Sequence, residues 1–216
     1  MITSYKELTI NKYQEIREIL QEDGGELNIQ AGIIATLTGM SIDDVLNLTL
    51  SRYNEYAQKT AFLMSKPKLD GHIPSKLNIN GRECVITKDI KKLTAAQYID
   101  YQTLTGMQEQ EKYLANILAC FIVPQGCKYN DGYDNGEIIK WIGENLSIVD
   151  GLNICFFFRK KYMSSIKFTI TYLELTMKRL ARKEKDPEIQ EKMKELNKML
   201  TEYRKLLQQS GDGLLW

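Results

Sequence analysis

The chain has 216 residues, of which 43% are apolar and 26% charged, and its net charge is +1. The apolar content can build a packed core, which excludes disorder as the default, and the near-neutral balance excludes wholesale nucleic-acid binding. The four cysteines, Cys84, Cys120, Cys127 and Cys155, form no C-x-x-C pair, so a reducing compartment is expected rather than a disulfide framework. The start, Met1 to Glu7, lacks the charged-then-apolar order of a signal peptide. No apolar run approaches the roughly 20 residues of a membrane span, and a soluble protein is expected.

Thr9 reads as an N-cap, with Ile10, Tyr13, Ile16, Ile19 and Leu20 on one face of a first helix ended by Asp23-Gly24-Gly25. A mostly apolar second helix covers Leu27 to Leu37 and stops near Gly39. Ser41 with Asp44 forms a capping arrangement for a short helix to about Asn47, and Thr49 caps a fourth helix to about Met64. The segment from Lys66 to Ser75 reads as loop. Asn80-Gly81 between Lys76–Ile79 and Arg82–Ile86 predicts a two-stranded hairpin, because Asn-Gly tolerates the positive φ angles of a type I′ turn. Two strands alone are marginal, so the hairpin has to pack on helices or pair with another chain.

Thr94 caps the next helix, to about Leu104, and a further helix is expected over Glu109 to Val123. A loop rich in Gly, Asn, Asp and Tyr follows, then a short helix from Gly136 to Glu144. The two halves share an order: Leu8-Thr9-x-x-x-Tyr13 matches Leu93-Thr94-x-x-x-Tyr98, and Leu48-Thr49-Leu50 falls opposite Leu146-Ser147-Ile148. This suggests a duplicated four-helix unit.

The last third carries two apolar series, Ile166-Ile170-Leu173-Met177-Leu180 and Ile189-Met193-Leu196-Leu200-Tyr203-Leu207, both in 4-3 steps. That is a heptad seam on each of two arms. Asp186-Pro187 supplies an N-cap and a proline suited to the first helical position between them. The fold expected is mainly α: a helical domain with one β-hairpin, and a C-terminal antiparallel helical hairpin. The divisions are 1–65 and 93–163 as helical units, 66–92 as loop and β-hairpin, 164–209 as the coiled arm, and 210–216 as a tail.

Sites of chemistry are few. The single histidine, His72, rules out a two-histidine metal motif, and there is no Walker-type phosphate loop or G-x-S-x-G elbow. The loop Asn130 to Glu137 fails as an EF-hand, since Tyr133 and Ile142 would stand where oxygen ligands are required. It reads as a turn in which Asp134 or Asn135 caps the next helix. No catalytic residue, metal ligand or cofactor is expected, and the chain reads as non-enzymatic.

Contact surfaces are better marked. Phe156-Phe157-Phe158 covers three directions around a helix, so Phe157 is a candidate for contact outside the monomer. In the ending Ser210 to Trp216, a polar-glycine joint presents Leu214, Leu215 and Trp216 as a docking tail for a partner or neighbouring subunit. Arg159 to Lys185 holds nine Lys/Arg against two Glu. It is either a solvated helix face or a surface for weak contact with genomic DNA or an acidic partner, through Arg159, Lys160, Lys161, Lys178, Arg179 and Arg182.

The series Leu93-Thr94-Ala95-Ala96-Gln97-Tyr98-Ile99-Asp100-Tyr101, then Leu118 to Pro124, then Lys128-Tyr129-Asn130-Asp131-Gly132-Tyr133-Asp134 resembles a family of small proteins. That family is encoded among the virion and tail genes of tailed phages of Bacteroidetes, including crAss-like phages. The resemblance covers roughly residues 5 to 165. It implies a virion protein, located in the particle and in the host cytoplasm during assembly. Such a protein sits at the portal–tail axis as a ring adaptor or is carried as cargo and released with the genome; in long-tailed phages the same context implies a tail assembly chaperone. The partners implied are portal, tail or ring proteins and copies of the chain itself.

Overall fold

The computed structural model describes residues 1–23, 25–107, 109–181 and 186–209. These form two compact units, Met1–Phe157 and Phe158–Trp216.

The first unit opens with four helices: α1 (Ile10–Ile19), α2 (Glu26–Thr38), α3 (Ile42–Leu46) and α4 (Leu50–Lys59). Each expected N-cap is in place. Thr9, Ser41 and Thr49 hydroxyls accept from the backbone N–H groups of Lys12, Asp44 and Arg52, satisfying donors that the first helical turn leaves unbonded. Gly39, at φ 78°, closes α2 in the left-handed conformation that costs glycine least. The helix expected to reach Met64 ends earlier. Thr60 is buried and its hydroxyl donates to the Ala57 carbonyl; the chain then tightens into a 3-10 turn over Ala61–Met64. Ala31, Ile34, Ala35 and Val45 form a small core roofed by Leu48, Tyr53 and Tyr56.

Strands β1 (Lys76–Ile79) and β2 (Arg82–Ile86) flank Asn80 and Gly81, at φ 50° and 79°, as the hairpin reading requires. The sheet has a third strand, however. β3 (Ile122–Pro124) pairs antiparallel with β2, setting Cys84 opposite Pro124 and Ile86 opposite Ile122. The helix expected over Glu109–Val123 is therefore only α6 (Leu114–Ala119), following α5 (Ala95–Thr105) and a 3-10 turn over Gln110–Tyr113. The reason is local: Ile122-Val123 is β-branched, Pro124 cannot continue a helix, and a two-stranded hairpin gains from a third strand.

α7 (Asn135–Asn145) and α8 (Ile148–Ala181) follow α5 and α6, where a second short helix and long helix were expected. The lengths do not repeat: α3 has 5 residues and α7 has 11. A clasp joins the ends of the first unit. Thr9 and Ser147 face each other as an antiparallel bridge, with Ile10 N–H donating to the Leu146 carbonyl (3.2 Å) and Ile148 N–H to the Leu8 carbonyl (2.8 Å). All four flanking side chains, Leu8, Ile10, Leu146 and Ile148, are buried. The second unit holds the rest of α8 and α9 (Pro187–Gln209), the two arms of the helical hairpin.

Candidate functional site: the surfaces of the helical hairpin

Ser147 starts α8 by accepting from Asp150 N–H while its own hydroxyl donates to the Asp150 carboxylate. Asp186 starts α9, its carboxylate accepting from Glu188 N–H at 2.9 Å, with Pro187 at the first helical position. α9 thus begins at the expected Asp186-Pro187, while α8 begins at Ile148, ahead of the expected bound of the arm at residue 164.

The inward face of the hairpin is not the full heptad series. On α8 it runs through Met163, Ile166, Ile170, Glu174 and Met177; on α9, through Gln190, Met193, Asn197 and Leu200. Leu173, Leu180, Ile189 and Leu196, expected in the seam, are 40–51% exposed. The physical reason is that heptad spacing fixes a stripe but not its centre. Polar Glu174 and Asn197 stand on the inward line, and the four aliphatic positions lie beside it. Polar residues in a seam cost stability but specify register. Tyr203 and Leu207 belong to α9, but their side chains lie outside the described residues.

At about 100° per residue, Leu173 and Leu180 sit some 60–80° from the inward line of α8, and Ile189 and Leu196 sit equally far from that of α9. Because the arms run antiparallel, rotation in the same sense brings all four to one flank. A second apolar strip was missed in the sequence: Phe168, Tyr172 and Leu175, 75%, 61% and 62% exposed, lie on the side of α8 facing away from the seam. Their 4-3 spacing was the available signal. From Tyr162 to Met177 the only charged residues are Lys167 and the buried Glu174.

The expected contact residues separate. Lys160 and Lys178 share the flank opposite the leucines; Lys161 and Arg179 point away from the seam, and Arg159 is half-buried. Phe157 is half-buried in the first unit, beside a buried Phe158. Arg182, Leu214, Leu215 and Trp216 lie outside the described residues.

Reactive groups gather in one place, an open pocket of about 200 Å³ lined by Asp100, Thr103, Asn116, Cys120, Tyr129 and Asn135 among others. Tyr129 donates to the Asp100 carboxylate at 2.9 Å and stands 3.9 Å from the Cys120 sulfur. Burial pushes the Cys120 thiol up to about 11 and raises the Tyr129 hydroxyl. The trio is a part-buried hydrogen-bonded network in which both groups hold their protons more tightly than in water. The loop turn is as read: Asp134 caps α7 by accepting from Gly136 N–H. Among the described residues, no three His, Cys, Asp or Glu side chains are grouped to hold a metal ion, and no helix is long and apolar enough to cross a membrane.

No protein-family model, curated protein or solved structure matches the chain.

Proposed function

We propose that the chain is a non-enzymatic phage virion protein, carried as cargo in or at the portal and tail and released with the genome. The observation that carries this reading is the sparsely charged band of α8 from Tyr162 to Met177. Phe168, Tyr172 and Leu175 are open to water on one side, with Leu173 and Leu180 on an adjacent flank. A helix that is apolar on several sides belongs inside an assembly, where neighbouring chains cover it. Self-packing and packing among portal or tail proteins both meet that need. The order of motifs from Leu93 to Asp134 supplies the phage context.

Mass spectrometry of purified virions tests the reading. Several copies of the chain per particle are expected. Complete absence from finished particles, with abundance in infected cells, would overturn the cargo role in favour of an assembly chaperone.

A further inference from the structure

The flank of the hairpin opposite Leu173, Leu180, Ile189 and Leu196 carries lysines with small hydroxyl residues between them. On α8 it carries Lys160, Ser164, Lys167, Thr171 and Lys178, and on α9 Lys194, Lys198, Thr201 and Lys205. All six lysines are exposed. The same rotation of about 60–120° from the inward line, taken in the sense opposite to the leucines, places both series on one side. Lys160 to Lys178 extends about 27 Å along α8 at about 1.5 Å per residue. The α9 lysines run antiparallel to them, at the 8–10 Å separation usual for paired helices.

A solvated helix face ordinarily mixes charges, and the outer side of α9 does so: Lys192 meets Glu188 at 2.6 Å. The α8 part of the lysine flank does not among the described residues, since Glu174 there is buried. On α9, Glu191 meets Lys194 at 3.3 Å in a solvent-exposed pair, and exposed Glu195 and Glu202 stand within a turn of Lys198. The side chains on this flank also narrow the partner. Among the described residues it holds no aromatic ring on which an unpaired base could stack and no aliphatic side chain to enter a bilayer, exposed Phe168 and Leu175 lying beyond its edge. Two rigid, parallel rows of point charges fit the regularly spaced phosphates of a duplex, held without reading sequence.

We infer that this flank is a docking surface for the phosphate backbone of double-stranded DNA, engaging Lys160, Lys167, Lys178, Lys194, Lys198 and Lys205. The inference deepens the proposed virion role by giving the genome contact a place on the molecule. The leucine flank and the lysine flank face opposite ways, so contact with DNA leaves the apolar flank open to a neighbouring chain.

The test is fluorescence anisotropy of the full chain with a labelled duplex of about 20 base pairs, titrated at several salt concentrations. Six phosphate contacts would weaken affinity by about 10³-fold between 50 and 200 mM salt. Replacing Lys160, Lys167 and Lys178 with Gln together should halve the slope of log affinity against log salt. Replacing Lys66, Lys68 and Lys91 with Gln, an equal charge change in the first unit, should leave it unchanged. Undetectable binding at 50 mM salt, equal loss in both variants, or tighter binding to phosphatidylserine vesicles than to duplex would each overturn the inference. A chain absent from virions but binding duplex as described would remove the cargo reading and leave this surface standing.

Discussion

The side-chain amide of Asn153 holds the loop containing Asp70 at both ends of its own functional group. Its Oδ1 accepts from Gly71 N–H at 3.0 Å, and its Nδ2 donates to Asp70 Oδ1 at 2.9 Å. Asn153 is buried, so water cannot replace these bonds at low cost. Replacing Asn153 with Ala should destabilise the protein by about 1–3 kcal/mol, measured by urea unfolding. An unchanged midpoint would show that the loop is anchored elsewhere.

Asp70 adds a pH dependence to the same contact. The His72 backbone N–H, followed by the Asn153 amide, lowers its carboxyl below the ordinary aspartate value of 3.8. A depressed carboxyl stabilises the folded state fully above that ordinary value. The contribution fades as pH falls through the lower folded value. The stability gap between the parent and Asp70→Ala should be constant at neutral pH and close in strongly acidic solution. A gap that widens on acidification would reverse the assignment.

The hairpin offers a sharper test. Ile170 is buried on the inward line, so Ile170→Asp should cost several kcal/mol and melt the arm, seen by circular dichroism. Leu173→Asp with Leu196→Asp changes only the exposed flank and should keep helicity while reducing self-association in light scattering. Melting of the double variant would restore both leucines to the seam.

Much of this architecture is written locally. Thr9, Ser41, Thr49, Thr94, Asp134 and Ser147 each mark a helix start because capping depends on one side chain and the next turn. Asn80-Gly81 marks its turn for the same reason. β3 was not legible, since Ile122 and Val123 become a strand only by meeting β2 across the fold. The heptad series was legible in residue type and misplaced in direction. Counting apolar residues located Leu173 and Leu196, but their period alone did not tell that the protected line runs through Glu174 and Asn197 beside them. The lysine flank likewise appears only once the two arms share an orientation.

Gly151 fixes how closely helices approach inside the first unit. A Cβ there would stand 2.9 Å from Ile10 Cδ1 and 3.3 Å from Leu118 Cδ1. Gly151→Ala should therefore destabilise by about 1–3 kcal/mol through overpacking, against a helix-propensity gain of about 1 kcal/mol. A variant more stable than the parent would mean the contact yields freely.

Thiol accessibility checks the pocket beside Tyr129. In native protein at pH 8, Ellman's reagent should modify half-buried Cys127 first, with buried Cys84, Cys120 and Cys155 reacting only on unfolding. Prompt reaction of Cys120 would contradict its raised thiol.

The clasp between Thr9 and Ser147 also sets an order of events during synthesis. Leu8 and Ile10 leave the ribosome well over a hundred residues before the backbone they pair with, Leu146 to Ile148. Contacts between such distant points form slowly, because the intervening chain must close a long loop first. α1 is thus sealed later than the helices that follow it within the first unit. A product terminated before Ile148 keeps two large aliphatic side chains open to solvent, a handle for chaperones and proteases to recognise an unfinished chain.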